Sequence, residues 1–371
     1  LPNTFNKVDG NEFDAAKVVA LEVSGAGNAL NLVSLNFTNW DANDLVTITG
    51  SGGNDNINGS KQRDTINAGD GNDSINGQDG ADILNGGAGN DRFQYNKQAD
   101  IAAGETIDGG EGTNDLLEIT SSMDISALAF TNVEDLILNA GFIGASLDVV
   151  ADGAQFAAGK LVTVNFANND HDLSIVGPST DLSGVTIQNF GGNDTLTING
   201  LAGNDTLVGS SVKDRINGSN GDDLIEGRQG ADILDGGNGN DTFVYTNSVH
   251  VTAGEEINGG AGSADRLLVE NGAVTLDFQT SVISDIEQVV YGANGRAAQF
   301  SGTQIGVGAG RITGVVADPA VNTNNFLVVT GNAIDLSNLT FSNWTQGGVG
   351  QDFVRLRGTA GADVITGSTQ I

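Results

Sequence analysis

Large apolar residues recur at every ninth position in two stretches of the chain, and glycines separate one occurrence from the next. Each apolar residue and its two flanking residues are enough for a three-residue strand, in which the central, apolar side chain points inward. Glycine supplies the positive φ of a tight turn. The pattern predicts alternating strands and turns, with these residues in the core: Ile57, Ile66, Ile75, Leu84 and Phe93, then Leu207, Ile216, Ile225, Leu234 and Phe243.

The segments between these stretches alternate apolar and polar residues with a period of two. Short β-branched runs show this alternation, namely DLVTITG at 44–50, DTLTING at 194–200 and DFVRLRG at 352–358. Such alternation indicates half-buried strands, and sustained helical periodicity is scarce. The sequence therefore predicts an all-β chain.

The chain also repeats itself on a larger scale, at an offset of 150 residues. We expect three repeat units, which are residues 1–141 with a nonapeptide block at 50–94, residues 142–292 with a block at 200–244, and a truncated unit, 293–371, whose block begins at 358–371. The chain opens without methionine and stops within a nonapeptide, so we expect it to be a piece of a longer polypeptide.

An aspartate precedes the apolar residue of each nonapeptide by two positions. If turn and strand alternate, successive nonapeptides lie on opposite sides of a flattened coil, and turns 18 residues apart stack directly. Asp55, Asp73 and Asp91 then form one row, and Asp64 and Asp82 form the other. Stacked strands lie about 4.8 Å apart, so carboxylates in one row repel each other unless a cation lies between them.

The charge balance points to that cation. The chain has 47 acidic and 15 basic residues, for a formal net charge of −32, which excludes nucleic acid as a partner. It has no cysteine for a thiolate metal site and no apolar run long enough to span a membrane. Calcium takes six to eight oxygen ligands, and glycine turns leave carbonyl oxygens free to join carboxylates. We therefore predict several calcium ions, bound by Asp55, Asp64, Asp73, Asp82, Asp91, Asp205, Asp214, Asp223, Asp232, Asp241 and Asp363, with Asp115 and Asp265 in slightly longer turns as candidates for further sites.

The nonapeptides follow G-G-x-G-x-D-x-U-x, where U is large and apolar, and with this pattern the chain resembles the RTX (repeats-in-toxin) family. The resemblance implies a right-handed parallel β-solenoid in which calcium-binding β-rolls alternate with β-helical stretches. It also implies type I secretion, with folding on extracellular calcium. The large repeat is similar to those of RTX-type bacterial surface-layer proteins and large secreted adhesins. This implies a structural segment at the bacterial cell surface, with self-association or neighbouring repeats as partners.

One turn in each block departs from the pattern. GSKQRD and GSSVKD have Gln62 or Val212 where the fourth-position glycine is expected, and Arg63 or Lys213 stands before the aspartate. Loss of glycine disfavours the turn, and a cation competes with calcium. We expect weaker or absent calcium at Asp64 and Asp214. The alternative is that the two basic side chains simply point to solvent.

We predict that the chain is not an enzyme. Its two histidines, His171 and His250, do not correspond between the repeats and are expected at the surface. Two other functions are weighed against a structural role. One is a module that binds polysaccharide or ice. Trp40 and Trp344, at equivalent strand ends, are expected to be structural, although an exposed pair of aromatic residues could contact sugar. The other is the solenoid module of a larger secreted enzyme.

Overall fold

The structure is a computed structural model and describes residues 7–9, 18–23, 28–38, 40–41, 43–141, 146–157, 160–167, 170–191, 193–270, 275–292, 297–317, 324–344, 352–360 and 362–368. The chain divides into two compact units. The first comprises residues 1–174 and 185–194, and the second comprises 175–184 and 195–371. Short 3-10 turns lie at Gln98–Asp100, Gly153–Phe156 and Ser248–His250.

The strands are short throughout. In chain order, the first twenty are β1 (Lys7–Asp9), β2 (Val18–Glu22), β3 (Ala29–Asn31), β4 (Asn36–Thr38), β5 (Leu45–Thr49), β6 (Asn56–Asn58), β7 (Asp64–Asp70), β8 (Ser74–Asn76), β9 (Ile83–Ala88), β10 (Arg92–Tyr95), β11 (Thr106–Glu111), β12 (Leu116–Ile119), β13 (Met123–Asp124), β14 (Ala129–Thr131), β15 (Asp135–Asn139), β16 (Leu147–Asp152), β17 (Thr163–Ala167), β18 (His171–Val176), β19 (Ser179–Asp181) and β20 (Thr186–Gln188).

The remaining strands follow the same pattern. They are β21 (Thr195–Asn199), β22 (Thr206–Val208), β23 (Arg215–Asn217), β24 (Leu224–Glu226), β25 (Ile233–Asp235), β26 (Thr242–Tyr245), β27 (Glu256–Asn258), β28 (Arg266–Val269), β29 (Thr275–Asp277), β30 (Val282–Ser284), β31 (Gln288–Tyr291), β32 (Ala297–Ser301), β33 (Gly314–Ala317), β34 (Phe326–Thr330), β35 (Ala333–Asp335), β36 (Thr340–Ser342), β37 (Phe353–Arg357) and β38 (Val364–Thr366).

In the first unit, consecutive strands from β5 to β12 alternate between two parallel sheets. One sheet has the order β3-β6-β8-β10-β12-β15-β17-β20, and the other has the order β2-β5-β7-β9-β11-β14. Ile57 pairs with Ile75, and Ile75 pairs with Phe93, so turns 18 residues apart stack as the sequence predicts.

The second unit repeats this arrangement from β21 to β28. One sheet has the order β19-β22-β24-β26-β28-β31-β33-β36, while β21, β23, β25, β27 and β30 pair in succession on the other side. Leu207 pairs with Ile225, which pairs with Phe243. The predicted all-β chain with a parallel β-solenoid architecture is confirmed.

The core consists of ladders of large apolar side chains inside the coil. All ten apolar residues predicted from the nonapeptides are at most 1% exposed. Tyr95 and Tyr245, at the ends of the two ladders, are 2% and 1% exposed. Because each strand contributes only one or two inward side chains, it depends on its stacked neighbours for burial.

The glycine turns pack too closely for larger residues. Gly239 has a φ of +138°, and a Cβ there would lie 1.8 Å from the carbonyl oxygen of Gly221 in the preceding coil. Side chains of the turns also join coils, since the Oδ1 atom of Asn54 accepts a hydrogen bond of 2.9 Å from the backbone N–H of Asn72. These contacts hold the turn backbones in register, 18 residues apart.

In the described part of the chain, no helix has the length and apolar character needed to cross a lipid bilayer.

Candidate metal centre

The aspartates that precede the strands form two rows in each unit, which we call the first and second rails. In the first unit, the first rail contains Asp55, Asp73 and Asp91. The backbone N–H of Asp55 donates to Oδ1 of Asp73 at 2.7 Å, and that of Asp73 donates to Oδ1 of Asp91 at 2.8 Å. The second rail contains Asp64 and Asp82, joined in the same way at 2.8 Å. Each carboxylate is thereby fixed against the turn of the preceding coil.

The second unit has equivalent rails. On its first rail, the N–H groups of Asp205 and Asp223 donate to Oδ1 of Asp223 and Asp241, both at 2.8 Å. On its second rail, the N–H of Asp214 donates to Oδ1 of Asp232 at 2.9 Å. The rows of carboxylates predicted from the nine-residue period are therefore present in both units.

The first rail extends beyond the nonapeptides. The N–H of Asp91 donates to Oδ1 of Asp115 at 2.7 Å, and the N–H of Asp115 donates to Oε2 of Glu134 at 2.9 Å. The second unit repeats this with Asp241, Asp265 and Glu287, at 2.7 and 2.8 Å. Asp115 and Asp265 thus lie on the rail. Sequence reasoning missed Glu134 and Glu287, whose signal was the matching pair of VEDL and IEQV.

Most rail aspartates keep one buried oxygen without a hydrogen-bond partner. Among the residues that the structure describes, this is true of the Oδ2 atoms of Asp73, Asp82, Asp91 and Asp115 and of their counterparts Asp223, Asp232, Asp241 and Asp265. A buried carboxylate oxygen without a partner costs several kcal/mol unless a cation binds it. At the same four positions in both units, a bound cation would therefore stabilise a carboxylate oxygen that the protein leaves without a partner.

Carbonyl oxygens converge with these carboxylates. A Cβ built on Gly218 would lie 2.3 Å from Oδ2 of Asp223 and 2.5 Å from the carbonyl oxygen of Gly236. A Cβ on Gly86 would lie 2.3 Å from Oδ2 of Asp91 and 2.5 Å from the carbonyl oxygen of Gly109. The glycines thus leave a space where carboxylate and carbonyl oxygens meet, an all-oxygen donor set that suits calcium.

No three His, Cys, Asp or Glu side chains of the described residues converge as a metal-binding group. The residues fit calcium in a different way, because successive rail carboxylates can share an ion with backbone carbonyls. Bound calcium would supply the positive charge that the rails lack.

Burial raises the pKa of several rail carboxyls above their ordinary value. It raises the pKa of Asp91 and Asp241 to about 6 and that of Asp232 to about 7. For Asp82, burial and then the neighbouring Glu105 carboxylate raise the pKa to about 9. The main cause in each case is burial, which leaves the charged carboxylate poorly solvated, and like-charged neighbours add to it at Asp82, Asp91 and Asp241. The fold as it stands therefore favours either protons or cations on the rails.

The two turns that depart from the nonapeptide pattern are closed by serine. In the first unit, Ser60 N–H donates to Oδ2 of Asp64 at 2.7 Å, and Ser60 Oγ lies 3.1 and 3.2 Å from the two carboxylate oxygens. Ser210 makes the same contacts with Asp214, at 2.6, 3.0 and 3.1 Å. Both oxygens of these aspartates thus have protein partners.

The basic residues of these two turns play a smaller part than the sequence suggested. Arg63 and Lys213 are exposed, and no ion pair within the described residues joins them to Asp64 or Asp214. Weaker calcium at these turns stays a prediction, but its physical reason changes. Serine satisfies the carboxylate, and the basic side chains point to solvent.

The outermost aspartates are also hydrogen-bonded. Ser51 N–H donates to Asp55 at 2.6 Å, and Leu201 N–H donates to Asp205 at 2.7 Å. Asp363 is exposed and accepts hydrogen bonds from Thr359 N–H and Oγ1, at 3.1 and 3.2 Å. Its strand, β38, pairs with β35, which is preceded by Asn332 rather than by an aspartate. That pairing does not bring Asp363 to a second carboxylate.

Replacing a rail aspartate should have very different effects in the two kinds of turn. We expect Asp223→Asn to remove at least one bound calcium ion and to raise the calcium midpoint about tenfold or more, since the buried Oδ2 loses its charge. Asp214→Asn removes the same charge from a serine-closed turn and should change the midpoint by less than about twofold. Calorimetric calcium titration at pH 8 measures both. Equal losses in the two variants would contradict this prediction.

Both histidines were expected at the surface, and both expectations are wrong. His171 is fully buried, and its Nδ1 accepts a hydrogen bond of 3.2 Å from Leu147 N–H. His250 is 7% exposed, and its Nδ1 lies 3.3 Å from Oε1 of Glu226. A polar ring can be buried when its nitrogens find partners, and here the partners come from neighbouring coils. Both rings hold strands or turns together.

The family comparison agrees with this geometry. The family model for the RTX calcium-binding nonapeptide repeat matches residues 46–66, 61–93, 190–211, 208–243 and 355–369. These matches cover both sets of rails and the short block near the end of the chain. No curated protein matches this chain. Its nonapeptide blocks are RTX calcium-binding repeats, which are structural and bind several calcium ions in each repeat region.

Proposed function

We propose that this chain is a calcium-dependent structural segment of a large secreted protein at the bacterial cell surface, in a surface layer or an adhesin. The observation that carries the proposal is that, in the described part of the chain, eight buried Oδ2 atoms of rail aspartates have no hydrogen-bond partner, while the chain has a net charge of −32. A fold with this demand for cations is suited to surroundings with about millimolar calcium and unsuited to the calcium-poor cytosol.

Secretion fits the composition and the family. RTX repeats occur in secreted proteins. The chain has no cysteine and only three prolines, so neither disulfide exchange nor much slow proline isomerisation delays folding after export. We propose that calcium outside the cell drives folding, and that the three repeat units, 1–141, 142–292 and 293–371, fold in tandem with neighbouring repeats.

The contacts of the tryptophans favour a structural role over sugar binding. Trp40 packs edge-on against Phe37, with ring centroids 4.6 Å apart, and Trp344 packs against Phe341 at 5.2 Å and Tyr291 at 5.9 Å. Both indoles are half-buried in these aromatic clusters. We therefore assign them to packing. The proposal also gives the chain no catalytic role, since its histidines are used in structural contacts.

The location can be tested with an antibody raised against the chain. We expect it to label intact cells of the producing bacterium in about millimolar calcium, and we expect a chelator to reduce the labelling as the repeats unfold. An antibody against a cytosolic protein, which should label only permeabilised cells, is the control. Labelling of this chain only after permeabilisation would contradict a surface role.

A further inference from the structure

The second rail of each unit continues into a glutamate that lies outside the nonapeptides. Asp82 N–H donates to Oε2 of Glu105 at 3.0 Å, as the N–H of Asp64 does to Asp82. Glu105 directly precedes β11, and Thr106 N–H donates to the carbonyl oxygen of Asp82 at 2.9 Å. Glu105 therefore holds the position that Asp82 holds before β9 in the nonapeptide block.

In the second unit, Glu255 holds the equivalent position before its strand. This residue directly precedes β27, and Glu256 N–H donates to the carbonyl oxygen of Asp232 at 2.8 Å. The step along the chain is 23 residues from Asp82 to Glu105 and also from Asp232 to Glu255, instead of 18. The inserted residues place a longer acidic side chain at the end of the rail in both units.

A buried tyrosine fixes each glutamate. Tyr95 Oη donates to Oε1 of Glu105 and Tyr245 Oη to Oε1 of Glu255, each at 2.8 Å. Glu105 is 1% exposed, and Glu255 is fully buried. A phenol hydroxyl orients a carboxylate and leaves its charge in place. The ends of the second rails are thus buried, fixed and acidic.

In the second unit, oxygens of both acidic residues lack a partner in the described part of the chain, whereas in the first unit Oδ2 of Asp82 lacks one and both oxygens of Glu105 accept hydrogen bonds. Within the described residues, Oε2 of Glu255 and Oδ2 of Asp232 have no hydrogen-bond partner, and both residues are fully buried. On the other side of Asp232, toward the preceding coil, a Cβ on Gly230 would lie 2.3 Å both from Oδ1 of Asp232 and from the carbonyl oxygen of Val212. The donors available between the two residues are the oxygens of two carboxylates.

From this geometry we infer that Glu105 and Glu255 each complete a calcium site with the last aspartate of the second rail, Asp82 and Asp232. The inference deepens the proposed function and rests on calcium binding by the repeats. The two sites lie beside Tyr95 and Tyr245, where the nonapeptide block ends. They close the second rail with a residue that the nonapeptide pattern does not contain.

The tyrosines make these sites testable with terbium, a calcium substitute that emits when a nearby tyrosine is excited. We expect Glu105→Gln and Glu255→Gln each to remove about one bound ion and about half of the tyrosine-sensitised emission, and the double variant to remove most of it. Glutamine keeps an acceptor for the phenol, so the tyrosine contact is retained. Glu256→Gln, at the exposed neighbouring position, is the matched control and should leave emission and ion count unchanged.

A double variant with the emission and calcium count of the unsubstituted protein would overturn this inference alone, while calcium binding by the rails stands. An unsubstituted protein that binds no calcium would overturn both this inference and the proposed function. If the glutamine variants do not fold, crystals of the unsubstituted protein with terbium decide. Anomalous density beside Glu105 and Glu255 supports the sites, and density confined to the first rails refutes them.

Discussion

Removing calcium at pH 8 is expected to unfold the β-rolls. At that pH Asp91, Asp232 and Asp241 carry charge, because burial raises their pKa only to about 6 or 7. Among the described residues, neither serine nor a basic side chain satisfies the eight unpartnered Oδ2 atoms of the rails. The net charge of −32 adds repulsion along the whole chain. We therefore expect chelated protein to be an expanded chain. Addition of about millimolar calcium should restore the β-rich fold in a cooperative step, because each ion joins turns of adjacent coils.

Circular dichroism and small-angle scattering during a calcium titration measure this transition. Magnesium is the control, since it demands near-octahedral geometry and gives up its water reluctantly, so it should not replace calcium on rails that use carbonyl oxygens. A β-rich, compact protein under chelation would contradict the prediction. It would mean that the apolar ladders through Ile57, Ile75 and Phe93 hold the fold alone and that calcium is a local clamp.

The nine-residue period was enough to predict the core and the rails. One large apolar residue per nonapeptide points inward, even in β7 and β9, which are longer than three residues, and all ten such residues are buried. The alternation of sides followed from the same geometry, and the pairing of Ile57 with Ile75 confirms it. Regular repeats can be predicted in this way because each copy stacks on other copies of the same repeat, so the period alone gives its neighbours in space.

The rest of the site depends on contacts that no local pattern specifies. Glu105 reaches Asp82 across 23 residues, and Glu134 reaches Asp115 across 19, so both lie outside the 18-residue spacing. Ser60 closes its turn through a hydroxyl hydrogen bond, whereas the sequence drew attention to the neighbouring Arg63. His171 is buried, and its ring accepts a hydrogen bond from Leu147 N–H in the neighbouring strand β16, 24 residues away in sequence. None of these contacts can be predicted without knowing how the irregular segments align with the neighbouring coils in three dimensions.

Acid should partly replace calcium in the metal-free protein. Burial raises the pKa of Asp241 to about 6, that of Asp232 to about 7 and, together with Glu105, that of Asp82 to about 9. In the unfolded chain these carboxyls titrate near their ordinary value of about 4. Between those values the folded protein holds more protons than the unfolded chain. The stability from these groups is therefore fully present below about pH 4 and is lost as the pH rises through about 6 to 9.

We therefore expect the calcium-free protein, prepared with a chelating resin, to melt at least about 5 °C higher at pH 5 than at pH 8. With saturating calcium the order should reverse, because protons compete with the ion for the same carboxylates. Thermal unfolding followed by circular dichroism at the two pH values measures how the melting temperature depends on pH, with and without calcium. The double variant Asp82→Asn and Asp232→Asn should reduce the pH dependence of the calcium-free melting temperature, since it removes two of the carboxyls whose pKa is raised. A calcium-free melting temperature that rises from pH 5 to pH 8 would show that proton uptake does not stabilise the rails, and their repulsion would then have to be relieved by rearrangement of the turns.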